Sequence, residues 1–215
     1  NEGVSGLGRW LSLRLTHMRR MLWSSQLYLI HVTDTASYAA GRPPPQIGGL
    51  EIHFLCGERD ADTLRDLGYE DVRHVIRTAA RWLRRGAVCV SVFVNREIAH
   101  VEWLALSEEV RKAIFPTPCF VAFGRGEAAW GGAHTVAAYR GKGVFQYGMA
   151  CALHYCHERG YRALIGATAV GNAPSMHGQT PYAPRVRVQV RQECFLMRCT
   201  WVEISREACS GWPAE

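Results

Sequence analysis

The five residues Arg140-Gly141-Lys142-Gly143-Val144 constrain this chain most, because they join a β-like run at 129–137 to a helical run ending near Arg159. A helix N-terminus leaves backbone N–H groups unpaired and carries partial positive charge. Glycines there let the backbone wrap closely around an anion. Arg140 and Lys142 add full charges. The segment therefore predicts a cradle for a pyrophosphate. Two better-known phosphate loops fit worse. A P-loop needs Ser or Thr after its Gly-Lys pair, whereas here Val144 follows Gly143. A dinucleotide fingerprint needs a third glycine where Gln146 stands.

The runs on either side predict α/β layering on a central, largely antiparallel sheet. Strands are expected at 50–55, 87–94, 98–106, 119–123, 129–137 and 163–170. The turn Asn95-Arg96 should close a hairpin between the second and third of these. Asp60 and Asp62 offer N-caps for a helical region reaching Arg85. A short helix is expected over 107–114, one or two turns over 174–179, and a closing two-strand ribbon from 186–190 and 194–204.

Residues 1–45 are expected to form an N-terminal appendage, with the main domain at 46–215. Its first part, 9–23, is basic and amphipathic. Leu11, Leu15, Met18 and Leu22 recur at helical spacing, with Arg14, Arg19 and Arg20 elsewhere on the wheel. Such a helix either packs on the main domain or lies on an anionic membrane surface. Residues 26–33 read as a weak strand. The stretch Gly41-Arg42-Pro43-Pro44-Pro45 breaks regular structure and reads as a linker.

The net charge of +6 favours anionic partners. No basic stripe interleaves with aromatics, so a nucleic-acid binder is not expected. No window approaches the roughly 18 apolar residues that a membrane-spanning helix needs. Eight cysteines are present with no CxxC pair and no histidines at zinc-ligand spacing, so no metal is expected. Most sit in apolar runs, which reads as reduced, buried thiols and a cytoplasmic setting. An exposed edge in the final ribbon would offer a surface to a second copy.

The loop, the helix after it, the strand at 163–170, and Asn172 with Ser175 beyond that strand resemble the GNAT superfamily of N-acetyltransferases. That family's signature is Gln/Arg-x-x-Gly-x-Gly/Ala between a strand and a helix. Arg140, Gly141 and Gly143 match, and Phe145 stands where Gly or Ala is usual. The resemblance covers about residues 50–205. It implies acetyl-CoA, or a close acyl-CoA relative, as cosubstrate. Backbone groups of Thr135, Val136 and Ala137 would bond the pantetheine arm and polarise the thioester. The loop Arg140, Gly141, Lys142, Gly143, Val144 and Phe145 would hold the pyrophosphate. Asn172 would touch the pantetheine and Ser175 would lie near the sulfur. The cofactor would sit where the strands at 129–137 and 163–170 splay apart.

Acyl transfer to an amine needs a base for the amine, a polarised carbonyl and a proton for the thiolate. His100 and Glu102 share one face of their strand by period two, and Glu102 is the favoured base. Glu97 and His134 are weaker options. Many relatives carry an acidic Tyr seven residues after the Asn; Gln179 stands there, and Tyr182 is the nearest substitute. The Gly-Phe usual before the sixth strand is also missing. The expected activity is acyl-CoA-dependent transfer to a small amine acceptor. The alternative is a non-catalytic CoA-binding or partner-binding module.

Overall fold

The computed structural model describes residues 23–115, 117–196 and 198–205. The amphipathic stretch before Trp23 and Cys209 lie outside them. Eight strands form one sheet: β1 (Trp23–Asp34), β2 (Leu50–Leu55), β3 (Val88–Val94), β4 (Glu97–Ala105), β5 (Glu127–Thr135), β6 (Ala163–Ala169), β7 (Arg185–Phe195) and β8 (Arg198–Ser205). The helices are α1 (Glu58–Asp66), α2 (Val72–Val75), α3 (Ala79–Arg84), α4 (Glu108–Ile114), α5 (Val144–Glu158) and α6 (Ala173–Gln179). The strand order is β2-β3-β4-β5-β6-β1-β7-β8. Neighbours run antiparallel except β5 and β6, so the largely antiparallel α/β expectation holds.

Both faces of the sheet are covered at β3 and β4. On β4, Val101, Trp103 and Ala105 point into a core under α1–α4 with Leu55, Leu64, Phe93 and Ile98. The alternate residue Leu104 points under α5, among Val90, Met149, Leu153 and Leu164. Helix α5 earns its place by its stripe of buried Val144, Gly148, Ala152 and Cys156, four apart, flanked by Met149 and Leu153. Each fully buried Leu or Met contributes about 1.5–3 kcal/mol.

Several local expectations need correction. Residues 23–34 are not part of an appendage: β1 is an inner strand, paired with β6 on one side and β7 on the other. The closing ribbon therefore joins the main sheet through β1. Asp60 and Asp62 do not cap α1, whose N-cap is Gly57. Asp60 instead accepts from the backbone N–H of Cys56 at 2.6 Å. Asp71 is a cap, holding the N–H of Arg73 in front of α2. The expected strand at 119–123 is irregular and leads into a 3-10 turn, Phe123–Arg125. The hairpin at Asn95-Arg96 forms as read, with both residues at positive φ.

The cysteines divide. Cys194 and Cys199 face each other across the β7–β8 hairpin and are joined in a disulfide. The reading of reduced thiols thus fails for this pair, together with its share of the argument for the cytoplasm. Cys56, Cys89, Cys119, Cys151 and Cys156 are free. Burial pushes the thiols of Cys89 and Cys156 up to about 12. No helix among the described residues is long and apolar enough to cross a membrane.

Candidate functional site

A cleft opens where β5 and β6 part company. They pair in parallel only from Glu127–Ala163 to Ala129–Ile165. Beyond Trp130 the register of β5 on β4 slips, because Val101 pairs with His134 but Trp103 with Gly131. One extra residue on β5 makes a bulge, and a bulge bends its strand. Gly132 sits there at φ +62°, and a Cβ on it would lie 3.1 Å from Trp103 Cδ1. Only glycine satisfies both the dihedral and the close approach. The bent end of β5 leaves a cleft of about 870 Å³ against the loop after it, the first turn of α5 and the start of α6.

The loop floor has the geometry of an anion cradle. Gly141 and Gly143 are left-handed, at φ +70° and +79°. Gly143 is the N-cap of α5 and has no side chain to accept the first N–H groups of the helix. Those donors sit at Val144, Phe145 and Gln146, all on the cleft wall. Arg140 lines the same wall, and its Nε also donates to the carbonyl of Thr135 at 3.1 Å. That bond ties the loop to the end of β5. Lys142 is not on the wall; its ammonium lies over the Tyr139 ring, 5.7 Å from the centroid.

Of the expected pantetheine contacts, Thr135 lines the cleft, whereas Val136 and Ala137 are not among its lining residues. Val136 N–H donates to Ala99, and the carbonyls of Val136 and Ala137 accept from Tyr139 and Arg140. Asn172 and Ser175 do line the opposite wall. Their spacing also has a local cause: the Asn172 side chain caps α6 by accepting from the N–H of Ser175 at 3.3 Å.

Both expected catalytic residues lie behind the wall. Glu102 is fully buried beneath α5, close to Gly148. Tyr182 is 3% exposed, and its hydroxyl donates to the carbonyl of Gln146. Burial pushes that phenol up to about 12, so it stays protonated, but away from the cleft. Gln179, at the position of the missing Tyr, has a structural job instead. Its Nε2 donates to Ser175 Oγ at 2.8 Å and to Thr168 Oγ1 at 3.0 Å. Thr168 in turn meets His31 Nε2 at 3.1 Å. A buried polar chain thus fixes the Ser175 hydroxyl at the cleft. His134 lines the wall, while Glu97 is exposed at the start of β4.

Phe145, the departure from the family pattern, fills the base of the cleft. Its ring packs edge-on to His100, with centroids 5.6 Å apart. It also presses on α6 at Gly178, where a Cβ would lie 2.8 Å from Phe145 Cε1. Among the lining residues that the sequence reading did not assign to the site is Arg42. Arg42 lies beside Tyr182. Its setting, Gly-Arg-Pro-Pro-Pro, carries only the signal of a break in structure.

No family model and no curated protein matches this chain. Solved structures do. A Drosophila protein superposes with a TM-score of 0.52 at 11% identity, over 93% of this chain and 58% of that one. A functionally unknown conserved protein from Staphylococcus epidermidis gives 0.50 at 8%, over 83% and 64%. The GCN5-related glucosamine N-acetyltransferase region of a fungal multi-domain GH3 β-N-acetylglucosaminidase gives 0.51 at 12%, over 84% and 22%. The chain spans less than two thirds of the length of each of these proteins. At such identities the likeness concerns architecture, and in architecture this chain has the GNAT fold.

Proposed function

We propose that this chain is an acyl-CoA-dependent N-acyltransferase that takes acetyl-CoA in the cleft and passes the acyl group to a small amine. One observation carries the reading. The N–H groups at the start of α5, which no side chain caps, lie with Arg140 and Arg42 along one open cleft and suit a cationic cradle. Bound there, acetyl-CoA supplies an activated acyl group. The N–H groups from Gly141 to Gln146 would hold its pyrophosphate. Thr135 and Asn172 would flank its arm, and the Ser175 hydroxyl, held by Gln179, would offer a hydrogen bond to the departing sulfur. A thiolate needs little help to leave near neutral pH, which fits a site without a Tyr at the Gln179 position.

Turnover tests the reading. The full chain incubated with acetyl-CoA and a panel of amino sugars and amino acids should release free CoA and yield N-acetyl products by mass spectrometry. Acetyl-CoA binding with no product from any amine would instead indicate a non-catalytic CoA-binding module. The exposed Val202 and Ile204 on edge strand β8 are where a second copy would add.

A further inference from the structure

His100 and Glu102 form a buried polar pair that packing alone does not explain. Both side chains are 0% exposed, with His100 Nε2 3.9 Å from Glu102 Oε2. Neither carboxylate oxygen accepts a hydrogen bond from the described residues. Across the sheet they pair with buried Val90 and Val92, where two apolar side chains would be the more stable choice. The helix above is shaped to admit them. A Cβ at Gly148 would lie 2.8 Å from His100 Cδ2 and 3.4 Å from Glu102 Oε1. The pair has one route to the cleft: His100 Nδ1 lies 2.8 Å from Thr135 Oγ1, and Thr135 is on the cleft wall.

We infer that Thr135, His100 and Glu102 are a relay that draws the proton from the acceptor amine into the protein as the C–N bond forms. The inference rests on the N-acyltransferase reading. As the nitrogen attacks the thioester carbonyl, its proton passes to Thr135 Oγ1. The hydroxyl proton of Thr135 moves to His100 Nδ1 in the same step, so Thr135 is neutral before and after. Glu102 stabilises the imidazolium. The C–S bond then breaks, and the proton held on His100 returns through Thr135 to the CoA thiolate. Substrate and product therefore balance as acyl-CoA plus amine to amide plus CoA. Thr135 touches the reactants; His100 and Glu102 act through it. The other titratable groups facing Glu102 are Cys89 on β3, Cys151 and Cys156 on α5, and Tyr182 after α6. Burial pushes all four up to about 11 or 12, so they stay neutral.

The test uses hydroxylamine as acceptor, because it is already neutral at pH 7 and the one proton it sheds is that lost as the C–N bond forms. In Thr135→Val kcat should fall about 100-fold, the scale of lost general-base catalysis. Thr135→Ser should restore it, and Glu102→Gln should lower it in the same sense. Acetyl-CoA affinity, measured separately by calorimetry, tells loss of binding from loss of transfer in each variant. A Thr135→Val kcat equal to that of wild type, or no recovery in Thr135→Ser, overturns the relay. Wild type that binds acetyl-CoA but does not acylate hydroxylamine removes the relay together with the catalytic reading. Wild type that binds no acetyl-CoA defeats the cofactor reading itself. A readout independent of turnover is the His100 tautomer, from 15N-histidine NMR. The relay requires the proton on Nε2, so that Nδ1 accepts from Thr135; a proton on Nδ1 breaks the first link.

Discussion

Taking the folded chain from pH 7 to pH 4 is expected to cost it about 3 kcal/mol through His31 alone. His31 lies on inner strand β1, 0% exposed, with its ring edge-on to Trp130 at 5.9 Å. Burial holds its imidazole down at about 3, against 6.5 for an unburied histidine. The folded chain therefore refuses a proton that the unfolded chain accepts. The stability this group contributes is fully present above 6.5 and drains away as the pH falls toward 3. Within that window the slope is about 1.4 kcal/mol per pH unit, one proton's worth. Urea unfolding of wild type and His31→Gln at both pH values isolates the effect from the carboxylates. Glu127, ion-paired with Arg187, titrates in both proteins alike. The variant should start less stable at pH 7 and lose about 3 kcal/mol less on acidification. Equal losses in the two proteins would show that His31 titrates freely in the fold.

Gly143→Asp is expected to weaken acetyl-CoA binding at least tenfold, or about 1.4 kcal/mol, while leaving the fold intact. Asp tolerates the left-handed conformation that Gly143 adopts at φ +79°, and the nearest atom to its Cβ would be Pro45 Cβ at 3.7 Å. A carboxylate at the N-cap of α5 would satisfy the same N–H groups that the pyrophosphate needs. The ligand-free variant should therefore melt no lower than wild type, so lost affinity would not be lost structure. Gly143→Asn provides the control, because its amide can cap but carries no charge. It should lose less affinity than the Asp variant. Calorimetry on the three proteins checks the order. Undiminished binding in a folded Asp variant would remove the loop from the cofactor site.

The parts of this molecule that were legible in its sequence are those built from local chemistry. Strand β2 and the Asn95-Arg96 hairpin follow from alternation and turn residues. The cradle follows from glycines and cations at the entry of a helix whose buried stripe repeats every four residues. The parts that were not legible depend on partners distant in the chain. Residues 26–33 look like a strand, but nothing local says that they pair with β6, where His31 meets a threonine 137 residues away. That pairing turns a supposed appendage into the middle of the sheet, and Arg42, a little further on, lines the cleft. Glu102 shows the same limit. Its place on one face of a strand was readable; the helix that buries that face was not, so the favoured base became a buried partner of His100. The cleft itself comes from a bulge at Gly132 against Trp103, and two adjacent glycines do not reveal which strand they bend against.

The most direct measurement is the melting temperature of the full chain with acetyl-CoA, with CoA and with ATP. A ligand that binds only the folded state stabilises it by about 2.7 kcal/mol at a hundredfold excess over Kd. The cradle predicts a clear rise with acetyl-CoA and with CoA, which share the pyrophosphate and pantetheine arm, and none with ATP. No rise with either CoA species, or an equal rise with ATP, would contradict an acyl-CoA site in the cleft between β5 and β6.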